Sequence, residues 1–258
     1  MNDISDSSCS APASDEVSSS TDAAILRVAT FNTLNGQVHR GKHKHYFKGP
    51  IRVNDLVESV CQFDADIVGL QEVDRRTVRT RFANAVKRVA RRTGHFATFR
   101  PSRRHWLIGL FGNSLVTRQR HHSVQVVKLR RLHWLEQKRT ALFATVEHNG
   151  VPVRVATTHL SSRRDESAIQ LPQIFDEMTR HRGPALIFGD MNLRPHEALP
   201  VFESAGWTVV ETGPTWPSWD PSLRIDYIAV REMQPVTARV QKCKVSDHCA
   251  IVAELVVK

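Results

Sequence analysis

The sequence predicts an α/β (α+β) fold built from stacked mixed β-sheets rather than one parallel sheet. Two observations carry this expectation. From Ile25 onward, short apolar strands alternate with amphipathic helices. The strands come largely in runs and hairpins with helices between them, a pattern that pairs many neighbours antiparallel. A length of 258 residues suffices for one large domain or two small ones, so length alone does not choose.

Each element has its own signal. Residues 25–31 read as a strand ending at Asn32. Val53, Leu56, Val57 and Val60 recur at helical spacing and predict a helix over 51–62. Residues 66–71 form an apolar strand that delivers Glu72 at its end. A helix over 81–92 carries Phe82, Val86, Val89 and Ala90 on one face, with Gly94 as its terminator. Strands follow over 115–118, 124–129, 140–147 and 151–158, and Asn149-Gly150 between the last two is a strong hairpin signal. The helix over 165–181 contains Pro172, which should kink it or mark a second start. Residues 185–188, 224–230 and 250–257 complete the strands, and no internal repeat is apparent.

Composition narrows the function classes. Residues 1–24 contain five acids and no Lys or Arg, and lack the basic start and apolar stretch of a secretory signal. They read as a disordered acidic, Ser-rich tail ahead of one domain over 25–258. That domain holds all 36 bases and 21 acids, a formal charge of +15, and should attract polyanions or an acidic membrane surface. The apolar runs are far shorter than the ~20 residues of a membrane-spanning helix. Cys9, Cys61, Cys243 and Cys249 lack the paired short spacings of a zinc site. Reduced thiols and a cytoplasmic location are expected, with no partner protein and a monomeric state.

Polar groups recur where the apolar runs end: Asn32, Gln71-Glu72, Asn113, Thr158-His159, Asp190 with Asn192, Asp226, and Asp247-His248. In packed sheets such ends can converge on one rim. Any one alone reads as a cap or turn former. Together, in order, they are specific. Thr30-Phe31-Asn32 with Asn35, Leu70-Gln71-Glu72-Val73, Gly112-Asn113-Ser114, Thr158-His159-Leu160, Gly189-Asp190-Met191-Asn192, Arg224-Ile225-Asp226-Tyr227 and Ser246-Asp247-His248 resemble the motifs of the endonuclease/exonuclease/phosphatase superfamily.

The resemblance implies a four-layer α/β sandwich, two packed mixed β-sheets flanked by helices, and hydrolysis of phosphate esters with Mg²⁺, for which Mn²⁺ can substitute. It implies Glu72, Asn32 and Asp247 as the metal residues, which suits a hard cation that keeps most of its waters. It implies Asp190 as the residue that orients and deprotonates water, His248 with Asp226 as a buried ion pair, and His159 and Asn192 as phosphate contacts. Asn113 is either a substrate contact or a turn former. Thr158 and Tyr227 are expected to support or pack, and Ser246 to sit in a loop.

Substrate is less legible. The basic segments 39–48, 75–92, 100–104 and 118–131 favour nucleic acid held through its phosphates. Trp106, Trp216 and Trp219 could stack on bases or pack loops. The apolar stretch 106–111 is either a buried strand or a contact for a membrane, which would suit a sphingomyelinase-like phospholipid phosphodiesterase. A small-molecule phosphatase is a third reading, and a non-catalytic polyanion-binding protein a fourth. Leu193-Arg194-Pro195 after Asn192 disfavours the inositol-phosphate 5-phosphatases, which carry an aromatic residue and Arg there.

Because residues 1–24 lie outside every motif, their deletion is expected to leave folding and turnover unchanged. If nucleic acid is the partner, deletion should also tighten its binding at low salt. Circular dichroism, turnover and a binding titration of the truncated chain check this.

Overall fold

The alternation of strand and helix resolves into two six-stranded mixed sheets, each covered on its outer face by helices. The computed structural model describes residues 25–38, 49–104 and 108–257. The tail assigned to 1–24, the basic segment 39–48 and Trp106 lie outside these residues.

Sheet 1 has the strand order β11-β12-β1-β2-β4-β3 and sheet 2 the order β5-β6-β7-β8-β10-β9. In sheet 1, β1 (Ile25–Asn32) runs parallel to β2 (Ile67–Arg75), joined through α1 (Val53–Cys61). Next comes α2 (Ala85–Thr93), then β3 (Phe96–Arg104) and β4 (Leu110–Thr117). In sheet 2, the antiparallel strands β5 (His122–Lys128) and β6 (Thr140–His148) lead into β7 (Val151–His159). Strand β7 runs parallel to β8 (Ala185–Asp190) through α3 (Arg164–Thr179). Helix α4 (Pro195–Ser204), β9 (Thr208–Val209) and β10 (Asp226–Arg231) follow. The chain returns to sheet 1 with β11 (Met233–Gln241) and β12 (Ala250–Val257). The two sheets therefore share one pattern, a parallel pair flanked by antiparallel strands.

Three apolar clusters correspond to the three interfaces. Leu26, Val28, Ile67, Leu142, Val155 and Phe188 lie between the sheets. Leu56, Val60 and Val89 pack α1 and α2 on sheet 1, and Leu171, Ile174 and Phe202 pack α3 and α4 on sheet 2. A fully buried side chain of this size contributes roughly 1.5–3 kcal/mol, so layer packing dominates the stability of the domain. The result is the expected four-layer sandwich.

Several boundaries differ from expectation for physical reasons. Helix α2 starts at Ala85 rather than 81, because Arg81 and Phe82 take left-handed φ values of 51° and 59°. Phe82 is accordingly exposed, not part of a buried stripe. Helix α3 continues through Pro172 without a second start. Strand β4 begins at Leu110, which places Asn113 inside a strand and corrects the turn reading. In the stretch 106–111, Leu110 and Phe111 belong to that strand while Ile108 is exposed. Strands β3 and β11 and helix α4 were not anticipated: Arg and Pro in β3, Pro235 in β11 and two prolines in α4 obscure their periodicity. The Asn149-Gly150 hairpin forms as expected, both residues having positive φ. Among the described residues, Cys61, Cys243 and Cys249 are free thiols, and no helix is long and apolar enough to cross a membrane.

The sheets come into close contact at Gly69. A Cβ there would lie 2.2 Å from the Phe188 ring and 2.5 Å from Thr157 Oγ1, both in sheet 2. Gly69→Ala is therefore expected to destabilise the fold by about 1–3 kcal/mol through overpacking. Adding Phe188→Leu should cost less in that background than in the wild type. Urea denaturation of the four variants in the cycle measures both effects.

Candidate functional site

The parallel pair of each sheet ends on the same rim. Asn32 is in register with Gln71 at the end of the β1–β2 pair, and His159 with Asp190 at the end of the β7–β8 pair. Asp226, the first residue of β10, is in register with Asp190. The loop before β12 supplies Asp247 and His248.

Local backbone features aim these groups. In β2 one extra residue interrupts the pairing with β4 between Leu70 and Val73, and Glu72 at this bulge has φ 55°. A regular strand would alternate faces, and the bulge re-aims Glu72 towards the rim. Gln71 turns inward instead and donates to Thr30 Oγ1 and Thr157 Oγ1, each at 3.1 Å. Gly189, before Asp190, has φ 147°, and a Cβ there would collide with Thr158 O at 2.0 Å. Ser246, with φ 79°, donates to Asn32 O at 2.6 Å and accepts from His248 N at 3.0 Å, tying the last loop to β1.

The groups meet at short range. Asn32 Nδ2 donates to Asp190 Oδ2 at 2.9 Å. His159 Nε2 lies 3.4 Å from Asp190 Oδ2, and His159 Nδ1 lies 3.8 Å from Glu72 Oε1. His248 Nε2 lies 3.8 Å from Asp190 Oδ2, and His248 Nδ1 lies 2.9 Å from Asp226 Oδ2. That same Asp226 oxygen accepts from Thr215 Oγ1 at 2.6 Å. Trp216 Nε1 donates to Asp247 Oδ2 at 3.1 Å, so this tryptophan orients a carboxylate. Asn113 donates to Thr140 O at 3.1 Å and Asn192 Nδ2 to Leu160 O at 3.1 Å, while Asn192 N donates to Asp190 Oδ1 at 3.0 Å. Asn113 thus uses its amide to tie β4 to sheet 2, and Asn192 braces Asp190.

Charge and burial set the protonation states. Burial alone would lower the His248 imidazole, but the charge and hydrogen bond of Asp226, with Asp190 and Asp247 behind it, push it up to about 10. Burial raises Asp190, as does Asp226; His248, Asn32 and Asn192 pull the other way, leaving it at about 7. His159 is driven well below its usual range by burial, then by Arg139 and His248, and is neutral at pH 7. Burial also raises Glu72, and Asp247 adds to the rise, opposed by His248, Arg139 and Asn32.

Two carboxylates are candidates for a divalent cation with Asn32. Glu72 and Asp247 repel each other, and Asp247 Oδ1 is buried without a partner, so a hard cation would relieve both defects. Ligand atoms of Asp190, Asp226 and His248 also lie within 4.8 Å of one another. A protonated imidazole cannot ligate, and although Asp226 Oδ1 is also buried without a partner, its Oδ2 already serves His248 and Thr215, so the Glu72 side suits a cation better.

Sequence reasoning missed Arg139. It stands directly before β6, and its buried Nε has no partner among the described residues. Burial lowers its guanidinium, an effect opposed first by Asp190 and Glu72. A cation at the start of an apolar strand on this rim was its only signal. Thr215 was likewise not anticipated as a partner of Asp226.

The chain matches the family model described as "Endonuclease/Exonuclease/phosphatase family" over residues 29–248. No curated protein matches it in sequence. Among solved structures it is similar to an endonuclease/exonuclease/phosphatase from Beutenbergia cavernae, with a TM-score of 0.72 and 18% identity over 91% of this chain and 72% of that one. It also resembles the human Nocturnin catalytic domain with bound sulfate anion, with a TM-score of 0.70 and 20% identity over 92% and 94% of the two chains. Truncated Caenorhabditis elegans TDP2 gives 0.66 and 17% identity over 90% and 98%. At these identities the likeness establishes the fold.

The His248–Asp226 pair has a signature in stability. A raised imidazole contributes fully below its unfolded value of ~6.5 and loses that contribution as pH climbs through about 10. In EDTA, wild-type stability is expected to fall more steeply between pH 7 and 10 than that of Asp226→Asn. Urea denaturation across this range measures the difference, and parallel curves would contradict the assignment.

Proposed function

The chain belongs to the endonuclease/exonuclease/phosphatase family, and from that premise we propose that it is a Mg²⁺-dependent phosphodiesterase acting on nucleic acid. Members of this family hydrolyse phosphoesters. The observation that carries the reading is the His248–Asp226 pair set beside Asp190, an imidazolium 3.8 Å from a carboxyl that burial raises to about 7.

In this reading Asp190 takes a proton from the attacking water. Its pKa of about 7 suits a general base at neutral pH. Asn32 and the Asn192 amide hold its two oxygens in place. His248, kept protonated by Asp226, offers positive charge to the phosphoryl oxygens as negative charge gathers there. Arg139 adds a second cation, and neutral His159 a hydrogen bond. Glu72, Asn32 and Asp247 would hold Mg²⁺, or Mn²⁺ in its place. When bound, the ion would supply Lewis-acid stabilisation to the phosphoryl group. Asn113 acts on the site indirectly, through Thr140 and the strand that follows Arg139.

A phospholipid phosphodiester is the second reading. It is favoured by Trp134 and Leu135, each 79% exposed in the loop before Arg139. Hydrolysis of sphingomyelin vesicles in preference to DNA and RNA would select it.

Bis(p-nitrophenyl) phosphate, DNA and RNA should be cleaved with Mg²⁺ or Mn²⁺ and not in EDTA. Asp190→Asn should lower kcat by roughly 10²–10⁴-fold. Glu72→Gln should weaken metal dependence and collapse turnover while the fold, checked by circular dichroism, persists. Asp226→Asn should move the alkaline limb of the pH–rate profile downward, since His248 then loses its proton more easily. Metal-independent turnover, or a folded Glu72→Gln variant with the wild-type rate, would refute the mechanism.

A further inference from the structure

Resting on the nuclease reading, we propose that a cleft between α1, α2 and the turn after β2 binds a backbone phosphate of the nucleic-acid substrate, away from the scissile bond. The cleft measures about 590 Å³ and is lined by Arg52, Arg79, Arg81 and Arg88, with Asp55 as the one carboxylate in its lining.

These arginines differ in how far their charge is already used. Arg79 is spent, its Nε 2.5 Å and its Nη2 2.7 Å from the buried Asp74. Arg52 meets Asp55 only at 3.4 Å, and both are partly exposed. Arg88 donates to a neutral group, Asn54 Oδ1, at 3.0 Å. Arg81 has no ion pair among the described residues. Three cations thus face one weakly held carboxylate, an arrangement that seeks an external anion.

A second, independent feature has the same sign. Helix α1 starts after Arg52, which makes no side-chain cap, so the amides of its first turn lack a side-chain partner there, and Arg52, Val53, Asn54 and Asp55 all line the cleft. Uncapped amides at a helix start favour phosphate. The facing wall is held by a buried network in which Thr77 donates to Asp74 at 2.6 Å and lies 3.0 Å from Thr80 Oγ1. That network fixes the turn carrying Arg81 in its left-handed conformation.

The cleft is coupled to the catalytic rim. Arg79 Nη2 donates to Asn35 Oδ1 at 2.5 Å, and Asn35 stands three residues after Asn32. Arg52 N donates to Gly36 O at 2.8 Å in the same turn. A polynucleotide can engage rim and cleft together, because its phosphates repeat along the strand. A flat bilayer meets protruding surfaces, whereas these charges line a concavity, so a polynucleotide is the better occupant.

The test is equilibrium binding of the full-length protein to a fluorescein-labelled single-stranded oligonucleotide in EDTA, by anisotropy, over 50–300 mM salt. The triple variant Arg52→Ala, Arg81→Ala, Arg88→Ala is expected to bind at least tenfold more weakly at low salt. Its log K against log salt should flatten by about 0.7 for each lost contact. The triple Arg→Lys variant should retain most of the affinity, because charge is preserved. Bis(p-nitrophenyl) phosphate hydrolysis should be unchanged in both variants, since this substrate is too short to reach the cleft. Unaltered affinity and slope in the Ala variant would overturn the cleft, as would loss of binding to phosphatidylglycerol vesicles but not to the oligonucleotide. Absence of metal-dependent hydrolysis by the wild type would overturn the catalytic reading instead, and the binding comparison would still decide the cleft.

Discussion

Gln71 reaches across the interior from sheet 1 to Thr157 of sheet 2, and its amide also engages Thr30 beside it. The candidate site depends on this cross-sheet registry, because its members are divided between the sheets. Asn32 and Glu72 come from one, His159, Asp190 and Asp226 from the other. A buried amide with both donors used tolerates little sliding, since a slip would strand polar groups away from water. Gly69 and Phe188 enforce the same alignment by shape. The Asn32–Asp190 hydrogen bond across the rim is the visible product of that constraint.

Electrostatics at the rim is a balance rather than an accumulation. The carboxylates of Glu72, Asp190, Asp226 and Asp247 gather where burial disfavours charge, and His248 and Arg139 compensate only in part. Asp226 Oδ2 accepts from His248 and Thr215, while its Oδ1 is buried without a partner. Burial raises Asp190 to about 7, and burial followed by Asp247 raises Glu72. The residual negative charge therefore falls on the Glu72–Asp247 side, and the positive charge on the His248–Arg139 side. A phosphodiester with its metal ion matches that polarity.

Much of this was legible in the sequence because site residues stand where apolar runs stop. Asp190 after Ala185–Gly189 and Asn32 after Ile25–Phe31 need only the strand pattern to be placed. Glu72 was found for the right reason only in part. Its position was evident, but the bulge that aims it depends on β4, whose start the sequence obscured. Arg139 stayed hidden because one arginine among 36 bases carries no distinguishing mark until folding buries it. Asn113 was ambiguous for a related reason: its partner, Thr140 O, is a backbone group that no side-chain pattern announces. Proline-containing elements such as α4 and β11 were lost because local propensity argued against them and tertiary packing prevailed.

Strand β12 lies between β11 and β1, so the first strand of the domain pairs with the last, Ile25 opposite Val256. During synthesis β1 must wait for β12 to emerge before its second neighbour exists. Asp247 and His248 arrive immediately before that closing strand. A nascent chain halted short of β12 can pair the strands of sheet 2, yet it holds no complete rim. Assembly of the reactive centre is thereby coupled to the arrival of β12, with the long-range pairing that slows folding also setting when the centre forms.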